Sequence, residues 1–228
     1  MSHEQFQSAL QNAARQVEPH LDSVLPRGNR IADSMRYAVL NGGKRLRAFL
    51  AYESCALLDV SAENANAAAA AIECIHAYSL VHDDLPAMDN DDLRRGLPTV
   101  HIKWDDATAV LAGDALQSFA FEILADAKAP AALIGSLAKA AGGQGMVLGQ
   151  NMDIAAETAA TPLNLYEIST LQSLKTGALI RWSACVGPVF AGVDAAPLQQ
   201  YADALGCAFQ IRDDILDVEG DAKAAGKR

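Results

Sequence analysis

The chain has 228 residues, of which 51% are hydrophobic, 20% charged and 6% aromatic, with a formal net charge of −10. It is long enough for one large domain with a real core and too apolar for disorder. The acidic balance and the lack of any basic run exclude a nucleic-acid surface as the main reading.

The opening Met-Ser-His-Glu-Gln-Phe-Gln is polar and lacks a secretory signal pattern. Residues 3–17 read as a polar amphipathic helix that closes near Pro19. Residues 30–40 form a second, with Met35, Val39 and Leu40 on one face, and Asn41-Gly42-Gly43 stops it. Lys44, Arg45 and Arg47 then stand at the start of a helix over 45–58, where cations oppose the helix dipole. An anion would be welcomed there by both the helix N-terminus and the side chains; a solvated basic turn is the plainer alternative. Ser61 begins an alanine-rich helix reaching about Asp84, and Ala67 to Ala71 let neighbouring helices pack closely. Pro86 forbids simple continuation, so the chain bends between Asp84 and Asp89 and can bring Asp89 back toward Asp83. Gly96-Leu97-Pro98 reads as a loop.

Asp105 or Asp106 caps a helix to about Ala127, and Pro130 opens another. Gly142-Gly-Gln-Gly is a break, and residues 146–155 are helical. Thr161 as N-cap with Pro162 at the first helical position predicts a helix that runs to about Ala184 and carries Lys175 and Thr176. Asp194, with Pro197 soon after, starts a last helix ending near Val218. No alternating strand pattern occurs, and no uninterrupted apolar run reaches the roughly 20 residues of a membrane span. Cys55, Cys74, Cys185 and Cys207 are scattered, as expected of buried free thiols in a reducing cytoplasm. The expectation is an all-α, soluble, cytoplasmic protein of one domain.

Two acidic clusters carry the chemistry. Asp83, Asp84, Asp89, Asp91 and Asp92 crowd together, and Arg94 and Arg95 follow at once. Such carboxylates repel one another unless a cation neutralises them, and Mg²⁺, usually shared with substrate phosphates, suits an all-oxygen site. The arginines point the same way, because guanidinium forks match phosphate oxygens. A solvated acidic loop is the alternative. Downstream, Asp213 and Asp217 are four apart and share a helix face, with Asp214 beside them among Ile211, Ile215, Leu216 and Val218. Carboxylates in apolar surroundings are costly without compensation. Facing each other across a cavity, the clusters would hold several Mg²⁺ ions around one diphosphate; two unrelated acidic helix ends remain the alternative.

Asp83-Asp-Leu-Pro-Ala-Met-Asp89 and Asp213-Asp-Ile-Leu-Asp217 resemble the first and second aspartate-rich motifs of the trans-isoprenyl diphosphate synthases, most of all the short-chain bacterial members. The likeness extends to Gly42-Gly-Lys-Arg-Leu-Arg, His76, Gly113-Asp-Ala, Gly149-Gln-Asn-Met-Asp, Lys175-Thr-Gly and Gly206-Cys-Ala-Phe-Gln, in that order. It implies an orthogonal helix bundle around a deep central cavity. It also implies three Mg²⁺ ions per site, held by Asp83, Asp84 and Asp89 from one wall and by Asp213 and Asp217 from the other. The resemblance places Arg94, Lys175, Thr176, Gln210 and Lys227 at an allylic diphosphate, and Lys44, Arg47, His76 and Arg95 at the diphosphate of isopentenyl diphosphate. The implied reaction joins isopentenyl diphosphate to dimethylallyl and then geranyl diphosphate, by ionisation, C–C bond formation and proton loss.

Tyr78 stands five residues before Asp83, roughly 7–8 Å along a helix axis, where a bulky ring would floor the tunnel that receives the growing chain. Small Ser79 beside it would not. The expected product is farnesyl diphosphate. Geranyl or geranylgeranyl synthesis, or a non-catalytic subunit of a prenyl synthase, are the alternatives. A terpene cyclase fits less well, because its second metal motif is an Asn/Ser/Glu type and it lacks the Gly-Gly-Lys-Arg site. The family is usually homodimeric. Residues 1–228 are expected to form one polyprenyl synthetase domain that stops at Lys227-Arg228, where the family continues into further helices.

Overall fold

The structure, a computed structural model that describes residues 2–219, is built almost wholly of helices. Helices α1 (His3–Val24), α2 (Arg30–Leu40) and α3 (Leu46–Ala56) lead into α4 (Ala62–Asp83). A small antiparallel hairpin, β1 (Leu93–Arg94) and β2 (Leu97–Pro98), follows. Then come α5 (Val100–Lys103), α6 (Asp106–Asp126), α7 (Ala131–Ala141), α8 (Met146–Glu157) and α9 (Leu165–Gln172). A π-turn over Ser173–Gly177 joins α9 to α10 (Ala178–Ala191), and α11 (Ala196–Glu219) ends the described chain.

Helix α4 is the hub. Ser61 caps it by accepting the Asn64 N–H at 3.3 Å, and Ala68 to Ile72 are wholly buried. A helix apolar on every face belongs inside a bundle. The small alanines let α1, α2, α3, α6 and α10 pack around it. Helix α6 has the length, and a mean hydropathy of 1.2, that would suit a membrane crossing. It instead packs along α4 and α2, with Asp105 as its N-cap accepting the Thr108 N–H at 2.7 Å.

Several expectations are corrected. Pro19 lies inside α1 rather than closing it. Its ring is exposed, so the carbonyl that loses its partner faces water, while Val17 and Leu21 on the other face are fully buried. Thr161-Pro162 does not start the next helix: Asn164 does. Asn164 accepts the N–H groups of Tyr166 and Glu167 at 3.0 and 3.1 Å, and Glu167 returns a bond to the Asn164 N–H at 2.8 Å. That reciprocal capping box outweighs a lone Thr-Pro signal. Helix α10 runs past Ala184 to Ala191 and ends at Gly192 with φ 66°. Gly96-Leu-Pro is part of the hairpin, with Arg95 and Gly96 both at positive φ in its two-residue turn. Cys55, Cys74 and Cys185 are buried, but Cys207 is exposed.

Candidate active site

The C-terminal half of α4 carries the site, because side chains spaced by three or four residues share one helix face. A cavity of about 430 Å³ opens along it, between α4, α8 and the π-turn. Arg47 and His76 line one part; Asp83, Lys175 and Thr176 line another; Tyr78 and Ser79 also face it. A second, small pocket of about 40 Å³ beside α4 is lined by Asp84, Arg94 and Arg95. A further cavity of about 300 Å³, walled by Leu133, Trp182 and Val189, holds no residue of either aspartate cluster.

The cationic wall begins with the turn after α2. Gly43 sits at φ 117°, and a Cβ there would lie 2.9 Å from the guanidinium carbon of Arg95. Arg95 also donates to the Gly42 carbonyl at 2.5 Å. Of the three cations at the start of α3, the one that turns inward for structure is Arg45, held at φ 51°. It reaches Glu73 on α4 at 3.0 Å and the Val39 carbonyl at 2.8 Å, while the other Glu73 oxygen accepts the Ala48 N–H at 3.1 Å. Arg47, two residues on, enters the cavity instead. Its Nε is buried with no hydrogen-bond partner. His76 lies one turn beyond Glu73 on α4; burial, and then the charges of Arg47, Arg95, Arg94 and Arg45, hold its pKa well below the ordinary value. Its imidazole is therefore neutral at pH 7. Lys44 is exposed and does not line the cavity.

At the end of α4 the chain turns back as Pro86 requires: the Asp89 N–H donates to the Asp83 carbonyl at 2.9 Å and the Asp91 N–H to that of Asp84 at 3.2 Å. Asp83 and Asp84 then part company. Asp84 faces the small pocket, where Arg94 forks onto it with Nε 2.8 and 2.9 Å from its two oxygens. Arg94 thus neutralises Asp84 directly, with Asp91 a further 3.7 Å contact. Asp83 faces the main cavity. Burial raises its pKa to about 6; Lys175 and Arg94 oppose the rise, and Asp89 and Asp84 add to it.

Helix α8 and the π-turn supply what sequence reasoning missed. Gln150 donates to the Asp83 carboxylate, and Asp153 pairs with Lys175. Both lie in the Gly149-Gln-Asn-Met-Asp motif, to which no role was assigned; the signal was a cluster of polar residues, Gln150, Asn151 and Asp153, on a helix that opens Met-Val-Leu. Gly149 permits the contact: a Cβ there would meet the Lys175 backbone nitrogen at 2.2 Å. The widened π-turn holds Lys175 and Thr176 at the cavity wall, a local geometry that recurs at functional sites. Thr176 donates to Gln210 on α11 at 3.5 Å. The side chains of Asp213 and Asp217 on α11, and all of Lys227, lie outside what the structure describes.

Among the described residues no three Asp, Glu, His or Cys side chains converge as a ready ligand set, and Asp84 is paired with Arg94. The donor chemistry nevertheless fits a hard divalent cation. Asp83 and Asp89 are drawn together by the turn, and their repulsion contributes to the raised Asp83 pKa, which a bound cation would relieve.

A helix bundle around a cavity that sets Arg47 and His76 opposite Asp83 and Lys175 fits the isoprenoid synthase class of all-α folds. Comparison with known proteins agrees. The polyprenyl synthetase family model matches residues 29–228. The farnesyl diphosphate synthase of Escherichia coli K12 is 51% identical over 209 residues, covering 87% of this chain and 69% of its own. The apo structure of an FPP/GFPP synthase from Zymomonas mobilis superposes with a TM-score of 0.89 at 46% identity, over 92% of this chain and 81% of that one. A geranyltransferase from Helicobacter pylori, complexed with magnesium and isoprenyl diphosphate, gives a TM-score of 0.84 at 36% identity, over 97% and 78%. The chain belongs to the polyprenyl synthetase family and is, by that membership, a prenyltransferase.

Proposed function

We propose that the chain is a Mg²⁺-dependent farnesyl diphosphate synthase, condensing isopentenyl diphosphate with dimethylallyl and then geranyl diphosphate. The observation that carries this reading is Arg47, a half-buried cation whose enclosed Nε lacks a partner, in the wall of the same cavity as Asp83 and Lys175. A buried guanidinium donor with nothing to bond is costly, and a diphosphate oxygen is its natural acceptor. His76 beside it, being neutral, adds a hydrogen bond without further charge repulsion. Arg95, which lines the neighbouring small pocket, and the exposed Lys44 do not line this cavity and would have to turn toward the isopentenyl diphosphate to join them.

On the other wall, Asp83, Asp84 and Asp89, with Asp213 and Asp217, would hold Mg²⁺, three ions on this reading. The magnesium complex of the H. pylori relative supports that assignment. Bound Mg²⁺ supplies Lewis-acid stabilisation of the leaving diphosphate. Lys175 and Arg94, with Lys227, balance the charge that builds as the diphosphate departs. Arg94 exchanges its bond to Asp84 for the substrate in doing so. The Thr176 hydroxyl and Gln210 carbonyl present oxygen dipoles to the allylic cation, and no side chain is needed as general base if the released diphosphate takes the proton. The prenyl chain runs from Asp83 along α4 between Met88, Met146, Ile154 and Leu179, and Tyr78 closes the way.

The same reading takes residues 1–228 as belonging to one polyprenyl synthetase domain, cytoplasmic and homodimeric; Ile102, Val110 and Leu111, exposed on α5 and α6, are the face offered for pairing. The test is incubation with isopentenyl and dimethylallyl diphosphates and Mg²⁺, with products sized by mass. A C15 product supports the reading, and Tyr78→Ala should lengthen it. A C10 or C20 product would keep the chemistry and refute the floor assigned to Tyr78. Absence of any product from a chain carrying the relatives' full length would favour a non-catalytic subunit.

A further inference from the structure

The cavity wall next to Tyr78 carries a second ring. His82 follows Tyr78 by four residues on α4, about 6 Å nearer the aspartates, so an entering prenyl chain meets it first. Both residues line the cavity. Their rings meet edge to face, with centroids 5.8 Å apart and planes at 77°. In a helix the side chain at i+4 leans back over residue i, so His82 packs on Tyr78 from the side of the reacting end.

The Tyr78 hydroxyl is held at its tip, by the Ala141 carbonyl at 3.5 Å and by the Gln117 side chain of α6. The tilt of the ring about that tip depends on what packs against its edge. His82, which does so, is itself held: its Nε2 lies 3.0 Å from the Val110 carbonyl of α6. Behind it stands Gly113, also on α6. A Cβ added there would lie 2.0 Å from His82 Nε2, 2.4 Å from Cδ2 and 2.7 Å from Cε1. The imidazole fills the gap left by the missing methyl group and has no room to retreat toward α6.

We propose that His82, wedged between Gly113 and Tyr78, is a positioning residue that sets the tilt of the Tyr78 ring and thereby the length of prenyl chain the cavity accepts. The inference rests on the reading of Tyr78 as the floor. With the wedge in place, Tyr78 cannot tip into the space the imidazole fills against α6, and the chain meets a fixed stop. Without it, the ring gains rotamers that fold into that space, off the path of the chain, and the tunnel opens.

Two substitutions push in opposite directions, and the readout is the molar ratio of product chain lengths from isopentenyl and dimethylallyl diphosphates. His82→Ala removes the wedge and should raise the ratio of longer to shorter product by about fivefold, the scale of one edge-to-face ring contact. Gly113→Ala drives the imidazole off α6 into the cavity and should shift the ratio toward shorter product. The double variant has no ring to displace and should show the His82→Ala distribution. A purely structural role would slow the enzyme or lower its melting temperature without moving the ratio. If Gly113→Ala does not fold, His82→Asn decides: it keeps a donor for Val110 but no ring, and lengthens the product if the ring is the wedge. Unchanged ratios in the His82 variants, alongside a longer product from Tyr78→Ala, overturn the wedge and leave the floor standing. An unchanged product from Tyr78→Ala overturns the floor and the wedge with it.

Discussion

Replacing Glu73 tests what holds the turn that presents the cationic wall. The side chains of Glu73 and Arg45 are each 3% exposed and 3.0 Å apart. Glu73 also accepts the Ala48 N–H at 3.1 Å, so one carboxylate fastens both the turn and the first residues of α3 to α4. Glu73→Ala strands a guanidinium and a backbone N–H in the interior. Breaking one side of a buried pair costs about 3–5 kcal/mol, and an orphaned N–H costs about 1–3 kcal/mol. Two groups remain near Arg45: the Val39 carbonyl at 2.8 Å and Glu18 at 3.4 Å. The Glu18 side chain is 43% exposed, and an ion pair that open to water recovers at most about 1 kcal/mol. A net loss of about 3–5 kcal/mol is expected, a large share of the roughly 5–15 kcal/mol that stabilises a domain. Urea denaturation followed by circular dichroism measures it as a lower midpoint at constant slope. Arg47 lies two residues beyond Arg45, so KM for isopentenyl diphosphate should rise in the same variant. The paired replacement Arg45→Met with Glu73→Leu should regain most of the stability without regaining that KM. A loss below about 1 kcal/mol in Glu73→Ala would refute the claim that this pair is desolvated.

Gly149→Ala should lower kcat by about 100-fold, because its Cβ would meet the Lys175 backbone at 2.2 Å and push the π-turn off α8; a kcat within twofold of the parent would count against it. His76 is neutral in the fold while the unfolded chain protonates it below about pH 6.5, so unfolding takes up a proton and stability falls as the pH drops through that value, by up to about 1.4 kcal/mol per pH unit. His76→Asn should flatten that acid limb of the denaturation midpoint; an unchanged slope would assign it to other groups. Asp83→Asn should abolish product formation while leaving the melting curve intact, and chelation of Mg²⁺ should do the same to the parent; near-normal turnover in either case would remove the metal role. Burial pushes the Cys55 and Cys185 thiols up to about 11, and the Cys74 thiol higher still, so a thiol reagent on native protein should label Cys207 alone.

The sequence by itself determined the class of fold, most helix starts and which residues are candidates for the site. These follow from short-range physics. Side-chain caps such as Ser61 and Asp105 satisfy backbone N–H groups within three residues, and Pro86, which has no N–H to give, favours a turn just past the end of α4 at Asp83. The clustering of Asp83, Asp84 and Asp89 with Arg94 is visible in the letters alone, as is the Tyr78 spacing from Asp83. Where local signals competed, the letters were ambiguous: Thr161-Pro162 lost to Asn164 with Glu167, and Pro19 was tolerated because buried Val17 and Leu21 hold α1 to the core.

Only the tertiary structure decided how adjacent, chemically similar residues divide their work. Arg45 and Arg47 look alike in sequence, yet one is fastened to Glu73, 28 residues away, and the other is left with an unpartnered Nε in the cavity. Asp83 and Asp84 are neighbours, but one meets Gln150 and the other Arg94. Lys175 gains its partner from Asp153 on another helix, across a glycine that lets two backbones touch. A side chain's partner across a helix packing surface depends on where that surface lies, and no spacing within one helix encodes its neighbour's position. Local chemistry is therefore legible one residue at a time, whereas charge pairing, burial and the shape of the cavity arise only when the helices meet.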